Sequence, residues 1–273
     1  MTHAWRQELQ LAANLSTLYP TLPLHERPYA AAADGFHHVE TWWPFPDTVP
    51  TDDELQRFCE SLERAGVRLV SINLAAGNLA HGDRGTLSHP GADREIARNV
   101  DCISIIVRRT GCSVVNAIFG NRVEGVPWPV QRQTGLQRLV SVADKLSGLN
   151  VYVVVETLNA VDSPRFPLTN IADTVELVRQ ANETSRTENV GLLVDTYHLA
   201  VHGIDPAAVV RAYPELVRHV QFADFPGRGK PGTGDVDFGA IAGALGEIGY
   251  TGFIGLEYWL DGSKQDAMGP STA

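Results

Sequence analysis

Four side chains able to hold a hard cation stand at the C-terminal ends of four strand-like segments: Glu156, Asp195, Gln221 and Glu257. The segments are VYVVVET (151–157), VGLLVDT (190–196), HVQFAD (219–224) and GFIGLEY (252–258), each an apolar run of the buried-strand kind that gives way to a polar residue. In a parallel barrel that position faces the mouth rather than the packed interior. The intervals of 39, 26 and 36 residues are close to one eighth of the 273-residue chain, so the four are expected on neighbouring strands. Three carboxylates brought together repel one another unless a cation neutralises them, and an all-oxygen set suits Mg²⁺ or Mn²⁺ better than zinc. Any one of these residues alone is more simply a helix cap, an ion-pair partner or a solvated loop residue. Their common phase argues for a site.

The elements that must position them follow from the rest of the pattern. Strands are expected at 11–15, 37–40, 67–74, 112–119, 151–157, 190–196, 217–223 and 252–258, and helices at 26–34, 51–65, 92–110, 129–147, 169–184, 205–213 and 237–248. This alternation predicts an α/β fold, a single (β/α)₈ TIM barrel, with a doubly wound open sheet as the structural alternative. Thr51 followed by Asp52, Asp53 and Glu54 reads as an N-cap with a capping-box glutamate, and Gly66 stands where a C-terminal cap is wanted. Pro129 and Asp205-Pro206 read as further helix starts. Ile96, Val100, Ile103 and Val107 form a core-facing stripe.

Composition bounds the class. A chain of 273 residues, 44% hydrophobic, can bury one large core, so residues 1–260 are expected to form one barrel domain and 261–273 a loosely docked tail. A net charge of −10 without a basic stripe argues against nucleic acid and for a small substrate. Cys59, Cys102 and Cys112 form no CxxC pair and read as buried free thiols. With no uninterrupted apolar segment at the start and no later run long enough to span a bilayer, a cytoplasmic protein without a membrane partner is expected, its assembly as a homo-oligomer left open.

Two loops follow strand ends and should cover the mouth. Glu40-Thr-Trp-Trp-Pro-Phe-Pro offers Trp42, Trp43 and Phe45 as a plug or a substrate wall, and 73–91 is glycine-rich with Arg84, His81 and His89. The two histidines lack HxH or HExxH spacing and read as solvated.

The segments NLAAGNLAHGDRG (73–85), VVVETLN (153–159), VDTYHLAVHG (194–203), VQFADFPGRGKPGTGDVDF (220–238) and GYTGFIGLEY (249–258) together resemble the hydroxypyruvate isomerase family, among the xylose-isomerase-like barrels. ANLSTLYP (13–20) and GFHHVETWWPFPD (35–47) resemble it too, so the likeness runs from about residue 12 to about residue 260. The resemblance implies a TIM barrel, a divalent metal held by the positions of Glu156, Asp195, Gln221 and Glu257, and proton transfer by the two glutamates. Thr157 and Ala75 stand where the family usually has proline, which bears on substrate preference and lid shape rather than on the metal set.

Interconverting an α-hydroxy ketone and an α-hydroxy aldehyde needs a carbon-bound proton removed and returned to the neighbouring carbon, which two carboxylates flanking an enediolate can do without an organic cofactor. Together with this chemistry the resemblance implies a metal-assisted ketose-aldose isomerase of a short oxo acid, hydroxypyruvate to tartronate semialdehyde in the leading case. A 2-oxo-tetronate isomerase, another sugar-acid epimerase or an inosose-dehydratase-like lyase is the alternative. Glu156 and Glu257 are the catalytic candidates, His198 a hydrogen-bond donor to substrate, and Arg228, with Arg84 in reserve, the fork for the substrate carboxylate. A DNA-cleaving barrel would need several histidine ligands and a basic face, and a pure sugar-acid binder would not need two opposed glutamates.

Overall fold

Eight short parallel strands wrap into a closed barrel in sequence order: β1 (Gln10–Asn14), β2 (His38–Thr41), β3 (Arg68–Asn73), β4 (Val114–Asn116), β5 (Tyr152–Glu156), β6 (Val190–Asp195), β7 (Val217–Phe222) and β8 (Phe253–Leu256). The computed structural model describes residues 9–260; the tail expected over 261–273 lies outside them. Closure is a register fact, since β8 pairs back to β1 with Gln10 opposite Phe253 and Ala13 opposite Leu256.

The helices are α1 (Leu15–Leu18), α2 (Arg27–Ala33), α3 (Asp52–Ala65), α4 (Asp93–Thr110), α5 (Trp128–Leu146), α6 (Ile171–Thr184), α7 (Thr196–Val201), α8 (Pro206–Ala212) and α9 (Phe238–Glu247). Helix α3 opens on the capping box read from the sequence, Thr51 accepting from the Glu54 N–H while Glu54 accepts from the Thr51 N–H, and closes on Gly66 at φ 69°. Helix α5 begins one residue before Pro129, and Asp205 caps α8 ahead of Pro206. The stripe on α4 is buried, as are the three free cysteines. No helix among the described residues is long and apolar enough to cross a membrane.

Side-chain parity along the strands divides the core in two. Val153 and Val155 of β5, Leu192 and Val194 of β6, and Val220 and Phe222 of β7 join the large cluster against the helices. The intervening Val154 and Leu193 meet Val114 in a separate small cluster. The same inward parity carries Asp195, His219 and Gln221, so the barrel interior is apolar on one side and polar toward its mouth and toward β1, β2 and β7.

Two short helices, α1 and α7, are absent from the expected set, and β4 is shorter than the run 112–119. A four- or six-residue helix shows no legible period, and beyond Asn116 the chain leaves the sheet for a loop in which Phe119 bridges Gly85.

Candidate active site

A cavity of about 530 Å³ opens at the C-terminal mouth, with Glu156, His198, Arg228 and Glu257 on its floor and Trp42, Trp43 and Phe45 among its walls. Of the four strand-end residues, Glu156 and Glu257 line this cavity, while Asp195 and Gln221 are buried and are not among its lining residues. Glu156, Asp195 and His198 offer atoms that lie within 4.8 Å of one another, a group that could hold a metal ion. Asp195 and Glu257 share one nitrogen of Arg228, at 3.1 and 2.9 Å. Gln221 is register-paired with Asp195 on one side and with Gly255, two residues before Glu257, on the other.

Each carboxylate has at least one oxygen fixed by donors of the protein, and Asp195 has both, since its Oδ2 accepts from Arg228. Asp195 caps α7, its Oδ1 accepting from the Tyr197 and His198 N–H groups at 2.7 and 3.0 Å, which leaves Oδ2 toward the site. The cap role and the site role thus belong to different oxygens of one side chain. Glu156 Oε2 accepts from Asn116 Nδ2 at 2.9 Å, and Oε1 lies 3.7 Å from His198 Nε2. Glu257 Oε1 accepts from Trp42 Nε1 at 2.7 Å as well as from Arg228.

Burial sets the proton affinities. The Glu156 carboxyl is pushed up to about 8, by desolvation first and then by the Asp195 charge, against the lowering pull of Arg228 and Asn116. Glu257 also lies well above the usual carboxylate range, because burial outweighs Arg228 beside it. His198 is driven down to about 4 by burial and is neutral. Its tautomer follows from its neighbour: the Asn159 N–H donates to Nδ1 at 3.1 Å, so the proton sits on Nε2, the nitrogen facing Glu156 and Asp195. A protonated Nε2 donates a hydrogen bond and offers a cation no lone pair. Gln221, by contrast, is buried with its Oε1 lacking any hydrogen-bond partner while its Nε2 donates to Glu40. An orphaned amide oxygen and three buried carboxylates opposed by one guanidinium fit a hard divalent cation, in both donor chemistry and charge.

Arg228 is held inside the carboxylate set. It is 6% exposed, with φ 54°, its Nε donating to the Glu257 carbonyl at 3.2 Å and its plane 5.4 Å from the Tyr197 ring. Burial lowers its proton affinity, but Glu257, Asp195 and Glu156 outweigh that and raise it. Arg84 also lines the cavity, its Nε donating to Ser163 at 3.1 Å, and Asp162 exerts the largest opposing-charge effect on it. Asp224 caps the turn ahead of it: its two oxygens accept five backbone N–H groups, from Phe225, Gly232, Thr233, Gly234 and Val236. His81 is exposed, and neither it nor His89 lines the cavity.

Sequence reasoning passed over Asn116, Trp42 as a donor to Glu257, and Glu40. Asn116 and Glu40 carry the same signal as the four residues singled out, a polar residue at the end of a buried strand.

Residues 28–271 match the family model described as xylose isomerase-like TIM barrel. The chain belongs to that family. A Streptomyces coelicolor protein provisionally named hydroxypyruvate isomerase is 43% identical over 90% of this chain and 88% of its own length. A Haemophilus influenzae protein named 2-oxo-tetronate isomerase is 28% identical over 91% of this chain and 93% of its own. Among solved structures, one from Brucella melitensis described as an AP endonuclease, family 2, superposes with a TM-score of 0.81 at 28% identity, covering 92% of this chain and 93% of that one. The curated relatives are isomerases, and this member of the xylose isomerase-like family is an isomerase too.

Proposed function

We propose that this isomerase interconverts hydroxypyruvate and tartronate semialdehyde (2-hydroxy-3-oxopropanoate), using Mg²⁺ or Mn²⁺ held by Glu156, Asp195, Gln221 and Glu257. The observation that carries the reading is the pair of buried glutamates on the cavity floor, both with raised proton affinity. A carboxylate near neutrality is a far better base than one at its ordinary value, and it can return the proton it takes. One glutamate removes a proton from C3 of the ketone form and the electron pair moves onto the C2 carbonyl oxygen; the C3 hydroxyl proton then passes to the C2 oxygen, and as the C3–O bond becomes the carbonyl a proton returns to C2, giving the aldehyde. When bound, the metal supplies charge stabilisation for the enediolate oxygens.

The remaining residues orient and shield. Asn116 and Trp42 each fix one glutamate by a hydrogen bond, so that its other oxygen can meet the substrate. His198, neutral with its proton on Nε2, donates to a substrate oxygen. Trp42 stacks edge-on against Trp259 at 5.9 Å and closes one wall against water.

A second reading, isomerisation of the four-carbon 2-oxo-tetronate, draws on a cavity roomier than a three-carbon acid requires and on the relative of that name. The test is a side-by-side assay of hydroxypyruvate, 2-oxo-tetronate and neutral ketoses with Mg²⁺ or Mn²⁺, in wild type and in Glu156→Gln and Glu257→Gln. Turnover should fall by about 10²-fold or more in each variant, the usual scale of general acid-base catalysis. Retained turnover in both variants would rule out the proton shuttle.

A further inference from the structure

Glu40, at the inward face of β2, is 1% exposed, and its carboxylate reaches across the barrel interior to β7. Oε1 accepts from Asn14 Nδ2 and from Gln221 Nε2, both at 2.8 Å, and Oε2 meets His219 Nε2 at 2.7 Å. The room it occupies is made by a glycine: a Cβ on Gly255 would stand 2.1–2.4 Å from the Glu40 carboxylate atoms.

This contact decides which end of an amide faces the site. The two ends of a glutamine amide are nearly equal in size and opposite in chemistry, so packing alone does not choose between them. Glu40 Oε1 already accepts from Asn14, so it meets the Gln221 amide as an acceptor and the NH₂ end is the one that fits beside it. The oxygen is therefore turned the other way, where Gln221 Oε1 lies buried with no hydrogen-bond partner. The reversed amide would set its oxygen against the Glu40 carboxylate and aim its N–H groups at any cation in the site.

We propose that Glu40 is a positioning residue that locks the Gln221 amide with its oxygen toward the metal, so that β2 shares in building a metal site whose ligands all lie on β5 to β8 and the residue after it. The inference rests on the reading that Gln221 is among the residues that hold the cation.

The experiment is Mn²⁺ titration of the metal-stripped full-length protein, followed by calorimetry or by the Mn²⁺ electron paramagnetic resonance signal. Groups that orient metal ligands typically change affinity by about 10–100-fold, so Glu40→Gln should weaken Mn²⁺ by that factor. The reciprocal double variant, Glu40→Gln with Gln221→Glu, again sets an amide NH₂ against a carboxylate and should recover affinity to within about tenfold of wild type, which a merely structural role would not do. Gly255→Ala, which leaves every polar group in place but displaces the Glu40 carboxylate, should weaken Mn²⁺ in the same direction. Unchanged affinity in Glu40→Gln overturns the proposal. So does a double variant no better than the single, or failure of both Glu40→Gln and Gly255→Ala to fold by circular dichroism, since Glu40 would then serve the fold. Gln221→Met separates the two levels. If it leaves Mn²⁺ affinity unchanged, the metal reading itself fails; if it weakens Mn²⁺ while Glu40→Gln does not, only the role of Glu40 fails.

Discussion

Arg228 shares one guanidinium nitrogen between Asp195 and Glu257, and that sharing decides how its loss should be felt. Truncating it leaves two buried carboxylates without their cation, a cost that falls on every substrate alike. Arg228→Ala should therefore lower kcat/KM for oxo acids and neutral ketoses by similar factors, with Arg228→Lys recovering part, because an ammonium supplies charge but cannot also reach the Glu257 carbonyl in the same plane. Arg84, which lines the cavity outside the carboxylate set that holds Arg228, is the cation whose removal should discriminate. A charge-assisted hydrogen bond to a carboxylate contributes roughly 1.5–3 kcal/mol, so Arg84→Ala should raise KM for hydroxypyruvate by about 10–150-fold and leave a neutral ketose nearly unaffected. Steady-state kinetics on both substrate types checks this, and an equal loss on both in Arg84→Ala would remove the residue from carboxylate recognition.

The loop after β7 is an element built around one side chain. Asp224 is fully buried and gathers five backbone N–H groups from residues 225–236, and the turn so organised delivers Arg228 in the left-handed region, at φ 54°. Asp224→Ala should loosen this loop and release Arg228, seen as faster amide hydrogen exchange over 225–236 and a fall in turnover, with the barrel strands still protected. Protection unchanged in that segment would show that the loop is held by other means. At this scale the sequence was informative in some places and silent in others, for physical reasons. Buried parallel strands read as apolar runs, so β5 to β8 and the residues at their ends could be located from composition along the chain alone. Helices α1 and α7 are too short to show a period, and their caps, Asn14 and Asp195, are themselves strand-end residues. That Arg228 turns back onto the carboxylates depends on a left-handed residue and on hydrogen bonds that Asp224 accepts from residues 1 to 12 positions ahead, neither of which leaves a periodic trace. The inward turn of Glu40 depends on an absent Cβ two strands away, at Gly255, a contact visible only once the barrel is closed.

Taken as a whole, the barrel holds carboxylates that bind protons more tightly than they would in the unfolded chain, and this ties stability to both pH and metal. The ordinary value of 4.5 for Glu156 rises to about 8 in the folded protein, through burial and the Asp195 charge. Between those two values the folded state carries the extra proton, so the slope of unfolding free energy with pH is negative: the contribution is complete below the unfolded value and is lost as pH climbs through the folded one. Metal-free protein should accordingly lose Tm between about pH 5 and pH 8, and Glu156→Gln, which cannot ionise, should lose less over the same range. A bound cation works against the proton, because ligands must be ionised to hold it. Adding Mg²⁺ or Mn²⁺ should therefore raise Tm most at the alkaline end of the window and flatten the wild-type profile, while Mn²⁺ affinity itself tightens with pH. Differential scanning calorimetry of stripped and metal-loaded protein, wild type beside Glu156→Gln, reads all of these at once. A stripped wild-type protein whose Tm tracks that of Glu156→Gln across the window would mean that Glu156 is ionised without a metal, and the charge argument for the cation would fall with it.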